Sequence, residues 1–486
     1  RSSDLSAAAY KERIQKARLA GKRYLVINPR RISYSELKKV EKFAIFKRGK
    51  NKGGMTYEQS DKRKLPFGLL AERTIGKLYS DKELGGMVGL ENAYNKVLKG
   101  KNGVGDKMLV TGKWIQKEDV PPEDGRDLVT TIDIDIQDVA EYSLMNQLKA
   151  HEADHGVAML MEVKTGAIRA IVNLHRQADG SYAEDFYNYA IGELAEPGST
   201  FKTVTATAAL EEGVVSVNDT FSCPGFRVVE DRKIRCARTT GHGTETFRQG
   251  IMNSCNPVFI DVGARVGVDR MYKNYEKLGL FEKTGIDLPG EANSIMHKKE
   301  NVGAVELATM SFGQSFQITP MQLLRAASAV INGGTLVTPH FAMYRTDEEG
   351  NIKSEYEYAT KENAIKKDTS DTMKELLEAV VAEGGGAKGQ VAGYRIGGKT
   401  ATSEKLPRGT GKYISSFMGF APADNPQILG IIMIDEPVGT YYGGTIAAPV
   451  MAEIYENILP YLVLKADYSE EKVKETMINV YMEEGD

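Results

Sequence analysis

Three short strings set the hardest constraint on this chain, because they are far apart in sequence and chemically belong together. The first is EPGSTFK, Glu196 to Lys202; the second is SCN, Ser254 to Asn256; the third is GGKTAT, Gly397 to Thr402. If they act as one set, the fold has to gather residues 199, 254 and 399 around one cleft. With Pro197 and Gly198 opening a helix, the i, i+3 spacing stacks the Lys202 amine over the Ser199 hydroxyl. A serine beside such a lysine is an activated nucleophile, since an amine desolvated near other cations sits neutral and accepts a proton.

Each string alone is weak. Ser35 to Lys38 and Ser469 to Lys472 also read SxxK, Ser216 to Asn218 reads SxN, and Lys164-Thr165-Gly166 is a complete KTG. The last lies between the alternating apolar runs MLMEV and AIRAIV, the pattern of a β-hairpin over about 156 to 174 with these residues in its turn. The lysine at 399 follows a strand-like YRIGG and precedes a long hairpin pattern, SSFMGFAPADNPQILGIIMIDEP. An edge strand there would carry the lysine into a cleft.

In order and spacing the set resembles the class B penicillin-binding proteins, with SxxK, then SxN, then K[ST]G. The stretches TTIDIDIQ, FGQSFQITPMQLL, GFAPADNP and YYGGTIAAPV are similar to the same family, and GLENAYNKVLKG resembles a segment of its N-terminal pedestal. The resemblance covers most of residues 60 to 462, with a division-type subgroup as the expected branch.

The resemblance implies an α/β (α+β) penicillin-binding transpeptidase fold, a central antiparallel sheet flanked by helices, plus an extended N-terminal pedestal. The expected domains are a pedestal, dimerisation-like, over 1–125, a transpeptidase domain over 126–462 and a charged tail over 463–486. It implies a serine D,D-transpeptidase that cross-links peptidoglycan stem peptides and is acylated by β-lactam antibiotics. Ser199 is then the nucleophile and Lys202 its general base. Ser254 and Asn256 relay the proton and bind the substrate amide, Lys399 tunes the electrostatics, and Thr400 and Thr402 bind substrate. The backbone N–H groups of Ser199 and Thr402 form the oxyanion hole.

The chain departs from the family at Ala401, where the third motif has glycine. The added methyl is expected to narrow the cleft or twist the edge strand, affecting efficiency or β-lactam affinity more than reaction type. Other readings are a serine β-lactamase or sensor, a D,D-carboxypeptidase, and a non-catalytic scaffold of a wall-building complex. Class A β-lactamases deacylate with the glutamate of an ExxLN string, and no Leu-Asn dipeptide occurs here.

The 486 residues are too many for one ordinary core and suggest two or more domains. The longest strongly apolar stretch, 428 to 434, suits a buried strand and falls far short of the roughly 20 residues of a membrane span. The chain begins at Arg1 rather than Met, and the family's membrane anchor is expected to have preceded it. That places the catalytic domain on the outer side of a bacterial cytoplasmic membrane, with a glycosyltransferase and division or elongation proteins as expected partners. Net charge is −3, yet residues 1–126 hold 29 Lys and Arg against 15 Asp and Glu. Such a basic region faces an anionic surface or partner, or is simply a solvated lysine-rich surface. No nucleic-acid motif accompanies it, and nucleic acid is not an expected partner.

Cys223 and Cys236 bracket a hairpin-like CPGFRVVEDRKIRC, consistent with either a disulfide or two buried thiols, while Cys255 reads as a small packing residue. His151 and His155 stand at i, i+4 at a solvated helix end. No Cys/His cluster has metal-binding spacing, so neither metal nor cofactor is expected. A helix should start near Asp133 or Asp135, residues 203 to 330 should be mostly helical, and a last helix should lie around Ala448 to Leu459.

Overall fold

The computed structural model describes residues 6–27, 32–57, 63–81, 83–110, 113–184, 187–347 and 349–467. Two compact units divide the chain at Gly68. The first holds helices Ala7–Leu19 and Tyr34–Glu41, the second followed by a 3₁₀ turn, Phe46–Arg48, and a short helix, Gly49–Gly53. Ser33 caps the second helix through its hydroxyl, with Glu36 returning the bond to the Ser33 N–H. Of the decoy SxxK pairs, Lys38 pairs with Glu41, and Ser469 to Lys472 lies outside the described residues.

The second unit is built on a six-stranded antiparallel sheet. Its strands are β1 (His155–Glu162), β2 (Ile168–Arg176), β3 (Tyr182–Glu184), β4 (Gly397–Glu404), β5 (Tyr413–Ala421) and β6 (Ile428–Asp435). Their order across the sheet is β4-β5-β6-β1-β2-β3, so β4 is an edge. Alternation decides which core each side chain joins. In β1, Val157, Met159 and Met161 face one core with Phe201 and Val204, whereas Ala158 and Leu160 face a second core with Ile454 and Tyr455. Every one of these is fully or nearly fully buried, and each large side chain contributes roughly 1.5–3 kcal/mol.

Helix α1 (Ile134–Ala150) and the last helix, Ala448–Asp467, supply the second core. Asp133 caps α1 by accepting from the N–H groups of Asp135 and Ile136. The turn of the β1–β2 hairpin is the decoy KTG, where Thr165 Oγ1 accepts from the Ala167 N–H and Gly166 takes φ +82°. The decoy SxN is also a turn, Ser216 Oγ donating to Asp219.

Two expectations change. His151 does end α1, but Glu152 at φ +44° turns the chain and His155 enters β1, buried among Asp154, Glu193 and Asp435. The segment 203 to 330 is helical only in part: over 220–246 four strands of four residues form two small sheets, and 278–298 and 311–319 carry no helix. One of them is the hairpin Phe226–Val229 with Arg232–Arg235, between Cys223 and Cys236.

Among the described residues no helix is long and apolar enough to cross a membrane. The last helix extends to Asp467, and the rest of the tail lies outside the described residues.

Candidate active site

Ser199 sits in a 3₁₀ turn, Gly198–Phe201, that runs directly into α2 (Lys202–Glu211). This helix is buried on nearly every side, as its small and apolar residues Val204, Ala206, Ala208 and Ala209 permit. Phe201 locks the turn edge-on against Tyr275 and Phe316, with ring centroids 5.3 and 4.6 Å away.

Close backbone approach fixes the other side of the turn. Gly198, at φ +56°, donates its N–H to Gly313 O across 2.9 Å. A Cβ on Gly313 would come within 2.0 Å of Gly198 O, and one on Gly198 within 2.0 Å of Ser403 Oγ in β4. Two glycines therefore let the nucleophile turn lie between a loop and the sheet edge. Beside them, buried Glu196 accepts from the Ser315 N–H at 2.8 Å and pairs with Arg408 at 2.6 Å, tying two loops to the start of the turn.

The second string forms a tight turn between helix Phe247–Met252 and α3 (Asn256–Val266). Ser254 adopts φ +54°, a left-handed conformation that costs a non-glycine residue energy and is kept only where its surroundings enforce it. The Asn256 amide donates to Arg235 O at 3.0 Å, which orients its Oδ1 toward Lys202.

The fold brings five of the seven candidate residues into one hydrogen-bonded chain. Lys202 Nζ lies 3.1 Å from Ser199 Oγ, 2.6 Å from Ser254 O, 2.8 Å from Asn256 Oδ1 and 3.2 Å from Ser254 Oγ. Ser254 Oγ in turn accepts from Lys399 Nζ at 2.9 Å, and Lys399 also donates to Thr400 O at 3.0 Å. A neutral amine has two N–H donors and one lone pair. The two carbonyl-type oxygens take the donors, which leaves the Lys202 lone pair for the Ser199 hydroxyl.

Both amines are only 1% exposed. Burial pulls Lys202 down to about 8, partly opposed by the nearby Cys255, Cys236 and Glu245. Burial also pulls Lys399 well below its ordinary value, and the Lys202 charge pushes it further in the same direction. Two ammonium groups sharing one serine oxygen repel, so the pair favours a single charge that the Ser254 hydroxyl can pass between them.

Thr400 and Thr402 alternate with Lys399 and sit half-buried on the other side of β4; Thr402 Oγ1 accepts from the Gly443 N–H at 3.0 Å. Ala401 shares the Lys399 face and is 3% exposed. Its methyl lies against the space left by Gly198, 3.5 Å from where a Cβ there would be. Strand β4 pairs with β5 without a register shift from Gly397 to Glu404, so the methyl does not bulge the strand.

This arrangement of serine, two lysines and an SxN turn stands at a sheet edge within a region, residues 156–456, that matches the penicillin binding protein transpeptidase domain. The chain belongs to the penicillin-binding transpeptidase family. Residues 3–130 match the penicillin-binding protein dimerisation domain. The chain is 37% identical over 429 residues to stage V sporulation protein D of Bacillus subtilis, covering 85% of this chain and 66% of that protein. A probable peptidoglycan D,D-transpeptidase of Neisseria flavescens is 30% identical over 394 residues, 77% of this chain and 94% of the relative. Among solved structures, penicillin binding protein 3 of Mycobacterium tuberculosis superimposes with a TM-score of 0.71 at 27% identity, covering 84% of this chain and 91% of that one. The same protein has been solved in complex with aztreonam, with a TM-score of 0.71 and 26% identity.

Sequence reasoning missed two features of this penicillin-binding transpeptidase site. Glu196 braces the nucleophile turn although it reads only as the residue before Pro197. The side chains of Cys223, Cys236, His242 and Cys255 converge immediately beneath the SxN turn, with their ligand atoms all within 4.8 Å of one another.

Proposed function

We propose that the chain is a peptidoglycan D,D-transpeptidase in which Ser199, Lys202, Ser254, Asn256 and Lys399 perform acyl transfer and Thr400 and Thr402 bind the donor peptide. The observation that carries this reading is the continuous chain of contacts from Ser199 through Lys202 and Ser254 to Lys399.

Ser199 Oγ attacks the carbonyl carbon of the penultimate D-alanine while its proton passes to Lys202 Nζ. The backbone N–H groups of Ser199 and Thr402 hold the developing oxyanion. As the C–N bond breaks, the proton travels by way of the Ser254 hydroxyl to the departing D-alanine amine. The acyl-enzyme waits for an amine on a neighbouring stem peptide. That amine attacks the ester, gives up a proton along the same path and restores Ser199. A β-lactam enters as a mimic of the donor and leaves Ser199 acylated.

Membrane anchorage, a catalytic domain on the outer side of the cytoplasmic membrane, and cooperation with a glycosyltransferase complete the proposal. They rest on family resemblance and on the basic character of residues 1–126.

Intact-mass spectrometry after penicillin treatment, followed by peptide mapping, tests the chemistry: the adduct is expected on Ser199. Donor stem peptide offered with an acceptor amine should then yield the cross-linked dimer. Release of D-alanine to water alone would establish a carboxypeptidase, and rapid loss of the penicillin adduct a β-lactamase. No adduct at all would leave only the scaffold.

A further inference from the structure

Beneath the SxN turn, residues from three separate elements meet. Cys223 ends one small strand, Cys236 follows the hairpin strand Arg232–Arg235, and Cys255 precedes α3. All three are free thiols and buried. His242 reaches the same point because the residue after it, Gly243, pairs with Cys223 in the sheet. His242 Nδ1 lies 3.6 Å from Cys223 Sγ and 3.6 Å from Cys236 Sγ.

Those distances carry a geometric message. A tetrahedral zinc ion with Zn–S of about 2.3 Å and Zn–N of about 2.0–2.1 Å holds sulfur and nitrogen about 3.5–3.6 Å apart, and two sulfurs about 3.8 Å apart. One imidazole nitrogen equidistant from two sulfurs cannot hydrogen-bond well to both, whereas a shared ion satisfies all three atoms. A disulfide also leaves one of three thiols unpaired, while a Cys₃His centre uses every one. Close by, the buried Glu245 carboxylate has its Oε1 3.7 Å from His242 Nδ1 and without a hydrogen-bond partner. Thiols at this spacing give up their protons to a shared metal ion, and the thiolates so formed beside the buried carboxylate would need that ion's charge to remain away from water.

We propose that Cys223, Cys236, His242 and Cys255 form a structural zinc site that holds the SxN turn in its working conformation. A Cys₃His set of three buried thiols and an imidazole about nine-tenths covered, with all four positions filled by the protein, is the closed, structural kind. Two of its ligands adjoin the active site. Cys255 lies between Ser254 and Asn256, and Cys236 follows Arg235, whose carbonyl accepts from the Asn256 amide. The ion thus ties the left-handed Ser254 to a hairpin that otherwise has little core of its own. The second cluster of metal-type side chains, Asp154, His155 and Asp435, is different, since Lys405 already supplies its cation at 2.6 Å from Asp435.

Metal binding stands independently of the function proposed above; the effect on the turn rests on it. Elemental analysis of the purified full chain under reducing conditions should give about one zinc per chain. Cobalt in its place should show thiolate charge-transfer and tetrahedral d–d bands. His242→Ala should weaken zinc binding by more than about 100-fold, while His242→Cys, which keeps four ligands, should retain it. Ser199→Ala should keep the zinc and lose penicillin acylation, separating failure of the site from failure of the enzyme. A chain that takes up no zinc, one whose mass is two hydrogens short, or zinc binding indifferent to both Cys236→Ser and His242→Ala would overturn the site. Zinc removal that leaves the penicillin acylation rate unchanged would overturn its hold on the turn; a tenfold or greater fall, reversed by adding zinc back, is the expected result.

Discussion

Lys399 Nζ donates to Ser254 Oγ across 2.9 Å, although the two residues are 145 positions apart in the chain. That contact joins the edge strand to the SxN turn and closes the path by which a proton can leave Lys202. Replacing Lys399 with Met removes the donor and its charge but keeps most of the stem. Acylation by a fluorescent penicillin should slow by about 10²-fold or more, with the thermal unfolding midpoint little lowered. An unchanged rate would remove Lys399 from the mechanism.

Lys202 must be neutral to take the Ser199 proton, and burial brings it down to about 8. The acylation rate should therefore climb with pH below about 8, by up to tenfold per unit, and level off above it. Lys202→Met should abolish that rise and reduce the plateau by roughly 10²–10⁴-fold. Stopped-flow acylation over a pH series reads both effects.

Gly313 leaves no room for a side chain, since a Cβ would meet Gly198 O at 2.0 Å and its φ is +87°. Gly313→Ala should cost about 2 kcal/mol or more and displace the nucleophile turn. Chemical denaturation measures the first effect and penicillin acylation the second.

Ala401→Gly is the reverse case. Removing a buried methyl and loosening a strand should destabilise the protein by about 1 kcal/mol, with acylation changed by less than a few-fold, because the methyl is buried against Gly198 and leaves the strand in register. A large gain in acylation would show that Ala401 does restrict the site.

His155 offers a test away from the catalytic centre. Burial opposes its protonation, but Glu193, Asp435 and Asp154 outweigh that and raise it to about 9. A raised value means that the stabilisation is complete below the unfolded value near 6.5 and disappears as pH rises through 9. Urea unfolding should thus show stability falling over this window by up to about 3 kcal/mol, and falling less in His155→Gln. A flat profile in the unsubstituted protein would remove the charged His155 from the network.

Much of this was legible because it depends on local pattern. Alternation in MLMEV and AIRAIV marks β1 and β2, an aspartate marks the start of α1, and the run after YRIGG marks an edge lysine. Of the strands over 220–246, the hairpin between Cys223 and Cys236 was legible, whereas the pair Thr220–Cys223 and Gly243–Thr246 escaped notice because each is only four residues long, too short for a periodicity that separates it from loop. The Cys and His convergence escaped for a related reason. Positions 223, 236, 242 and 255 fit no ligand spacing, and only the pairing of Gly243 with Cys223 brings His242 to the sulfurs. His155 was misread because i, i+4 spacing implies one helix face only while the helix continues, and this one ends before Glu152.

The middle of the sheet has a further implication for biogenesis. His155 in β1 pairs with Asp435 in β6, 280 positions later. Until the ribosome has delivered residue 435 and beyond, the first hairpin keeps a bare, apolar flank, an invitation to mispairing with other chains. Maturation of this protein therefore waits on strand β6, and a product cut short before it would retain the nucleophilic serine yet lack the lattice that makes it reactive.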